Sequence, residues 1–152
     1  MTGTLSSARA LSLLLAASLL AASGLGCALS VKDPMHHEHT FHEAMKTFTQ
    51  YVRWGNFNGA ALYVVEEQQD EFLDLAPQLS DVRFTDYEVL REDLNDERSA
   101  ATVDVMLTGY RLSSPISRTM RLHQTWKRSG LSEWKVTIEL DPMREALGLA
   151  AK

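Results

Sequence analysis

The chain has 152 residues, with 20 acidic and 15 basic side chains, a formal charge of −5 and one cysteine. This length supports one folded domain rather than two. The acidic balance, with Lys and Arg not clustered, argues against nucleic acid as a partner, and a single cysteine excludes an intramolecular disulfide.

The first 26 residues have the composition of a secretory signal. Arg9 is their only charged residue, an apolar run over residues 11–20 follows it, and small residues come next. A transmembrane anchor is the alternative, but a span needs about 20 strongly apolar residues, and this run soon gives way to Ala, Ser and Gly. We therefore predict a signal peptide over 1–26, which leaves 126 residues with a formal charge of −6.

The single cysteine, Cys27, follows the small residues in the stretch SGLGCALS. This stretch resembles the lipobox of bacterial lipoproteins, in which the cysteine is lipidated and becomes the mature N-terminus. Gly26 fits that pattern, whereas Leu25 lies two residues before the cysteine instead of three. The resemblance implies a lipid on Cys27 as the membrane contact, and Ala28 in place of Asp implies the periplasmic face of the outer membrane. Ordinary cleavage nearby, which leaves a free thiol, is the alternative.

Four histidines lie close together in MHHEHTFHEAM, residues 35–45. They are His36, His37, His39 and His42. Imidazole is a good ligand for Zn or Cu, but a structural site needs four rigidly held ligands, and half of this cluster precedes the predicted helix. We interpret 27–39 as the lipidated N-terminus and a polar tether, with weak binding of Zn or Cu by the four histidines as the alternative.

Three helices are predicted after the tether. A first set of apolar residues recurs at helical spacing: Phe41, Met45, Phe48 and Val52. This spacing predicts a helix over about 40–54, and Thr40 and Glu43 have the spacing of a capping box at its start. A short second helix follows, with Asn58 as its cap. The third covers EEQQDEFLDLAPQLS and is ended or kinked by Pro77.

Period-two alternation then predicts four antiparallel strands, over 82–90, 101–112, 117–128 and 134–140. One face of these strands carries apolar side chains: Val103, Val105, Leu107, Met120, Leu122, Trp126, Val136 and Ile138. Asp104 and His123 fall on the opposite face and are expected to be solvent-exposed. The domain is predicted to cover 40–141, and 142–152 to be a C-terminal tail that forms either a final short helix or a loose segment.

Helices followed by an antiparallel meander predict an α+β fold, with three helices on one face of a curved four-stranded sheet. The helix end Tyr51-Val52-Arg53-Trp54-Gly55, the short helix after it and the Trp134 that opens the last strand resemble the nuclear-transport-factor-two-like superfamily. This superfamily includes ketosteroid isomerases and polyketide cyclases, and the resemblance covers residues 40–140. It implies a cone-shaped domain of the kind found in uncharacterised bacterial lipoproteins.

The resemblance also implies where function would lie. Enzymes of this superfamily work inside the cone, with an acidic base and an oxyanion donor, and the predicted inward face supplies no such pair. We therefore expect a lipid-anchored envelope module that binds or assembles without catalysis. The outward sheet face, with Met106, Tyr110, Arg121 and His123, is the predicted interaction surface for a homodimer or an envelope protein. Small-molecule binding or catalysis inside the cone is the alternative.

Overall fold

The structure is a computed structural model that describes Asp33 and residues 36–149. Three helices come first: α1 (His37–Arg53), α2 (Phe57–Ala61) and α3 (Glu66–Leu73). Four strands and a last helix follow: β1 (Val82–Leu94), β2 (Ala100–Arg111), β3 (Ser114–Ser129), β4 (Glu133–Ile138) and α4 (Asp141–Leu147). Among the described residues, no helix combines the length and the apolar character needed to cross a membrane.

Helix α1 places one apolar stripe in the core, as its spacing predicts. Phe41, Met45, Phe48 and Val52 are all buried. The predicted capping box is wrong, because the helix begins three residues earlier, at His37, and has no side-chain cap. Thr40 instead donates its hydroxyl to the His37 carbonyl and accepts a hydrogen bond from the Trp134 indole. This contact joins the first turn of the helix to the last strand.

Of the two short helices, α2 has a side-chain cap and α3 does not. The Asn56 side chain, rather than that of Asn58, caps α2 by accepting from the backbone of Gly59 at 3.0 Å. Helix α3 buries Phe72 and ends at Leu73, before Pro77. Proline has no backbone N–H to continue a helix, so the chain turns towards β1 there.

The four strands form one antiparallel sheet in the order β1-β2-β3-β4. Val105 lies opposite Leu122, and Trp126 lies opposite Val136. Every residue predicted to face inward is buried, and the described domain is α+β, with its helices packed on a curved four-stranded sheet, as predicted. Strand β1 is an edge strand with two irregularities in its register, between Phe84 and Asp86 and again farther along.

Aromatic rings fill the space between α1 and the sheet. Trp126 is fully buried, and the rings of Phe41 and Phe48 meet it edge-on at centroid distances of 6.0 and 5.7 Å. The buried Gln124 side chain accepts a hydrogen bond from the Trp126 indole at 3.0 Å. The Gln124 amide thus satisfies the indole N–H, which burial would otherwise leave without a partner.

The C-terminal segment forms a short helix, which is one of the two states expected for it. Residues Asp141–Leu147 form α4, because Met143 and Leu147 lie four apart and both enter the core. The buried Arg144 side chain contacts Glu71 of α3 at 3.0 Å. Arg111 of β2 donates to the Leu147 carbonyl at 3.0 Å and pairs with both oxygens of Asp81, the residue before β1. Helix α4 is therefore attached to both α3 and the start of the sheet.

Candidate functional site

The outward face of the sheet carries a cluster of three charged side chains, Asp104, Arg121 and His123, hereafter the Asp104 cluster. Asp104 lies directly opposite His123 in the register of β2 and β3. Its two carboxylate oxygens accept from Arg121 at 2.6 Å and contact Nδ1 of His123 at 2.9 Å. Asp104 is therefore only 7% exposed. This corrects the expectation of a solvent-exposed Asp104, because its two neighbours on β3 cover it.

The same contacts fix the protonation of the cluster. The guanidinium of Arg121, followed by His123, lowers the pKa of Asp104 to about 2. An ionised carboxylate can only accept hydrogen bonds, so Nδ1 of His123 carries the proton that it shares with Asp104. In the neutral ring, Nε2 is then the basic nitrogen. His123 is thus oriented and its tautomer fixed.

A shallow hollow lies over the Asp104 cluster. It has a volume of about 490 Å³, and Glu139 and Pro142 complete its lining. The Glu139 backbone N–H donates to the His123 carbonyl, so the start of α4 is held beside β3. The hollow places a cation, an imidazole and two carboxylates around one open space.

The structure places some of the residues of the predicted interaction surface next to one another. Met106 lies opposite Arg121, and Asp104 lies opposite His123, so these side chains form one patch. Tyr110 lies farther along β2, beside a smaller cavity of about 120 Å³. Docking of a second copy or an envelope protein on this face stays a prediction.

A larger cleft lies at the other side of the fold, where α1 ends and β1 begins; we call it the α1–β1 cleft. Its volume is about 630 Å³. Its lining residues come from the α1 end, α2, the turns after α3 and the start of β1: Arg53, Trp54, Gly55, Asn56, Phe57, Asn58, Ala76, Leu79, Ser80, Val82, Arg83 and Phe84. The cleft therefore combines an apolar floor with two arginines at its edge.

Sequence reasoning missed this cleft. The helix end that carried the resemblance includes Arg53, Trp54 and Gly55, and these three residues also line the cleft. A usable signal was present, because Trp54 falls outside the apolar stripe of α1, whose last member is Val52. A tryptophan that a helix does not bury is a candidate for ligand contact.

The four histidines do not converge. His37, His39 and His42 lie on α1, and His42 contacts Glu92 of β1 through Nε2 at 2.6 Å. His36 precedes the helix in a left-handed conformation, with φ of 54°. Within residues 36–149 and Asp33, no group of three or more His, Cys, Asp or Glu side chains is arranged to hold a metal ion. Metal binding by the cluster stays a prediction. Cys27 lies outside the described residues.

The interior of the cone is filled by side chains. Val103, Val105, Trp126 and Val136 have no exposed surface, and Leu107 has 1%. Two tyrosines with partly buried rings, Tyr51 and Tyr63, pack against this core at a centroid distance of 6.4 Å from each other. The side chains that were predicted to face the interior are therefore packed in the core of the described residues.

Comparison with known proteins identifies the fold. No family model matches the chain, and no curated protein matches it. A ketosteroid isomerase-like protein from Erwinia carotovora atroseptica is similar, with a TM-score of 0.53 and 11% identity, over 62% of this chain and 85% of that chain. A SEC-C motif containing protein from Rhodopseudomonas palustris has a TM-score of 0.53 and 13% identity, over 63% of this chain and 74% of that chain.

These likenesses concern the fold alone. The described part of the chain has the nuclear-transport-factor-two-like fold, with helices on the concave face of a four-stranded antiparallel sheet. The resemblance drawn from the order of helices and strands is confirmed at this level.

Proposed function

We propose that this chain is a small-molecule-binding domain of the bacterial cell envelope, held at the membrane by a lipid on Cys27. The observation that carries the proposal is the α1–β1 cleft. Its volume of about 630 Å³ falls within the range of about 300–1,000 Å³ that is usual for ligand sites. Its mixture of aromatic side chains and a few charged groups is also typical of such sites.

The distribution of polar groups supports binding rather than catalysis. The α1–β1 cleft contains arginines and asparagines rather than a carboxylate and imidazole pair. The oriented imidazole of His123 belongs to the Asp104 cluster and lines an open hollow. Catalysis by general acid and base needs a positioned group beside a substrate shielded from water, and an open hollow provides little shielding.

Native mass spectrometry of the mature protein, released from membranes in detergent, tests the proposed function. We expect a non-covalent organic mass at one per chain, which is lost at higher collision energy while the protein mass is unchanged. A metal at one per chain with no organic mass would instead support the His36, His37, His39 and His42 cluster. A bare chain that also binds no organic compound added at millimolar concentration would contradict small-molecule binding.

The anchor has its own test. Cys27→Ser is expected to move the protein from the detergent phase to the aqueous phase in a phase-separation assay, because each buried CH₂ of an acyl chain contributes about 0.8 kcal/mol to membrane binding. Ser30→Ala, three residues later, is the matched control and should stay in the detergent phase. If Cys27→Ser also stays there, another group holds the protein to membranes.

A further inference from the structure

The α1–β1 cleft carries positive charge that the protein itself does not neutralise. Arg53 donates through Nη2 to the Thr85 carbonyl at 2.7 Å, and Arg83 donates to the carbonyls of Ser80 and Val82. Among the ion pairs found within the described residues, neither arginine has a carboxylate partner, whereas Arg111, Arg121 and Arg144 each have one.

Carbonyl contacts hold these two guanidinium groups in place. A carbonyl oxygen fixes the position of an N–H group but brings no full negative charge, so the cation remains available to an anion. Because a planar guanidinium binds carboxylate, sulfonate or phosphate through several N–H groups, arginines that are already positioned lose little entropy on binding. In a chain of charge −5, two such arginines beside one cleft favour an anionic ligand.

The other lining groups favour a flat apolar body. The Trp54 side chain is 77% exposed at the cleft, and the Arg53 guanidinium carbon lies 5.5 Å from the centre of its ring. Phe57, Leu79 and Phe84 line the same cleft, are buried and supply an apolar floor. An exposed indole that shares a cleft with such a floor can stack on one face of an aromatic ring.

We propose that the α1–β1 cleft binds a planar organic anion: an aromatic ring system that carries one carboxylate, sulfonate or phosphate group. The ring lies between Trp54 and the apolar floor, and the anionic group meets Arg53 and Arg83. This inference rests on the proposed small-molecule-binding function, and it adds the location and the chemical class of the ligand.

A pair of probes with the same ring framework tests the role of charge. 8-Anilinonaphthalene-1-sulfonate carries a sulfonate that N-phenyl-1-naphthylamine lacks. Both are titrated by calorimetry into the full mature chain carrying Cys27→Ser, so that no detergent is needed. We expect one site per chain, with the neutral probe bound about tenfold more weakly or worse.

Variants then locate the site. Arg53→Gln and Arg83→Gln should each weaken the anionic probe about tenfold and leave the neutral probe nearly unchanged, whereas Trp54→Ala should weaken both. Arg91→Gln and Leu131→Ala are matched controls, because Arg91 pairs with Asp93 away from the cleft and Leu131 is 76% exposed. Urea unfolding of each variant confirms that it is folded. If Arg53→Gln does not fold, Arg83→Gln alone tests the role of the arginines, because the Arg83 side chain is exposed.

Three results would overturn the inference. One is equal affinity for the two probes, and another is an anionic probe that the arginine variants bind as well as the parent chain does. The third is binding that is lost in His123→Gln but kept in the cleft variants. That result would show that the ligand binds at the Asp104 cluster, and the proposed small-molecule binding would still hold. These results do not by themselves contradict the proposed small-molecule binding. That proposal fails only if native mass spectrometry also shows a bare chain.

Discussion

Trp126→Ala is expected to lower the free energy of unfolding by about 3–5 kcal/mol. The side chain has no exposed surface, and Phe41 and Phe48 meet its ring edge-on. Removing it leaves a cavity that the rings of Phe41 and Phe48 fill only in part. The Gln124 side chain also loses the indole N–H that donates to it. Urea unfolding at neutral pH, followed by circular dichroism, measures the change.

The chain contains a matched control for this substitution. Trp54 has the same side chain but is 77% exposed, so Trp54→Ala should change the free energy of unfolding by no more than about 0.5 kcal/mol. If the two substitutions have similar effects, Trp126 is not the centre of the core. A larger effect for Trp54 would show that the α1–β1 cleft stabilises the fold rather than binding a ligand.

Asp104→Asn should destabilise the protein by about 1–3 kcal/mol at pH 7, because it removes the charge that pairs Arg121 and His123 with a largely buried carboxylate. Screening of Arg121, whose side chain is 63% exposed, keeps the effect at the lower part of this range. The control is Asp93→Asn, since Asp93 pairs with Arg91 and both side chains are mostly exposed. Equal effects of the two substitutions would contradict the special position of Asp104.

The same carboxylate gives a pH dependence with a definite sign. Folding lowers the pKa of Asp104 from 3.8 to about 2. Its stabilisation is therefore fully present above the ordinary pKa and is lost as the pH falls from about 4 towards 2. The difference in unfolding free energy between the parent chain and Asp104→Asn should shrink over that window. A difference that stays constant down to pH 2 would mean that this pKa is not lowered in the folded protein.

The fold was predictable because its two periodicities are clear in the sequence. Alternation on β2, β3 and β4 identified the inward residues, from Val103 to Ile138, and all of them are buried. The apolar stripe of α1 was equally clear. Both patterns depend on repeats over a few residues, so no knowledge of distant contacts was needed.

The features that were missed depend on distant contacts. Thr40 does not cap α1, because the helix begins at His37, and its hydroxyl instead accepts a hydrogen bond from Trp134, 94 residues away. Asp104 has outward parity, but its burial depends on side chains that belong to another strand. The sequence left open whether the last segment is a helix or a loose tail, because α4 depends on Met143 and Leu147 packing into a core that only the folded sheet provides. Local patterns carry no information about such partners.

The candidate site was predictable only in part. Arg121, His123 and Met106 were placed on one face by parity alone, and they do lie together. The α1–β1 cleft needs three chain segments, ending near Arg53, Leu79 and Phe84, to meet at one point. Because these segments are far apart along the chain, the sequence does not show that they meet. The exposed Trp54 lies on one side of the cleft that they form.

The two attachments of α4 have a consequence for local unfolding. Arg144 joins this helix to α3 through Glu71, and Arg111 joins its end to Asp81. Asp81 lies between Ser80 and Val82, which line the α1–β1 cleft. A ligand that holds these neighbours still reduces the freedom that Asp81 has to release Arg111, so it also slows the opening of α4. If the proposed ligand binds, amide hydrogen exchange in the last helix should therefore slow, although that helix contributes no side chain to the cleft.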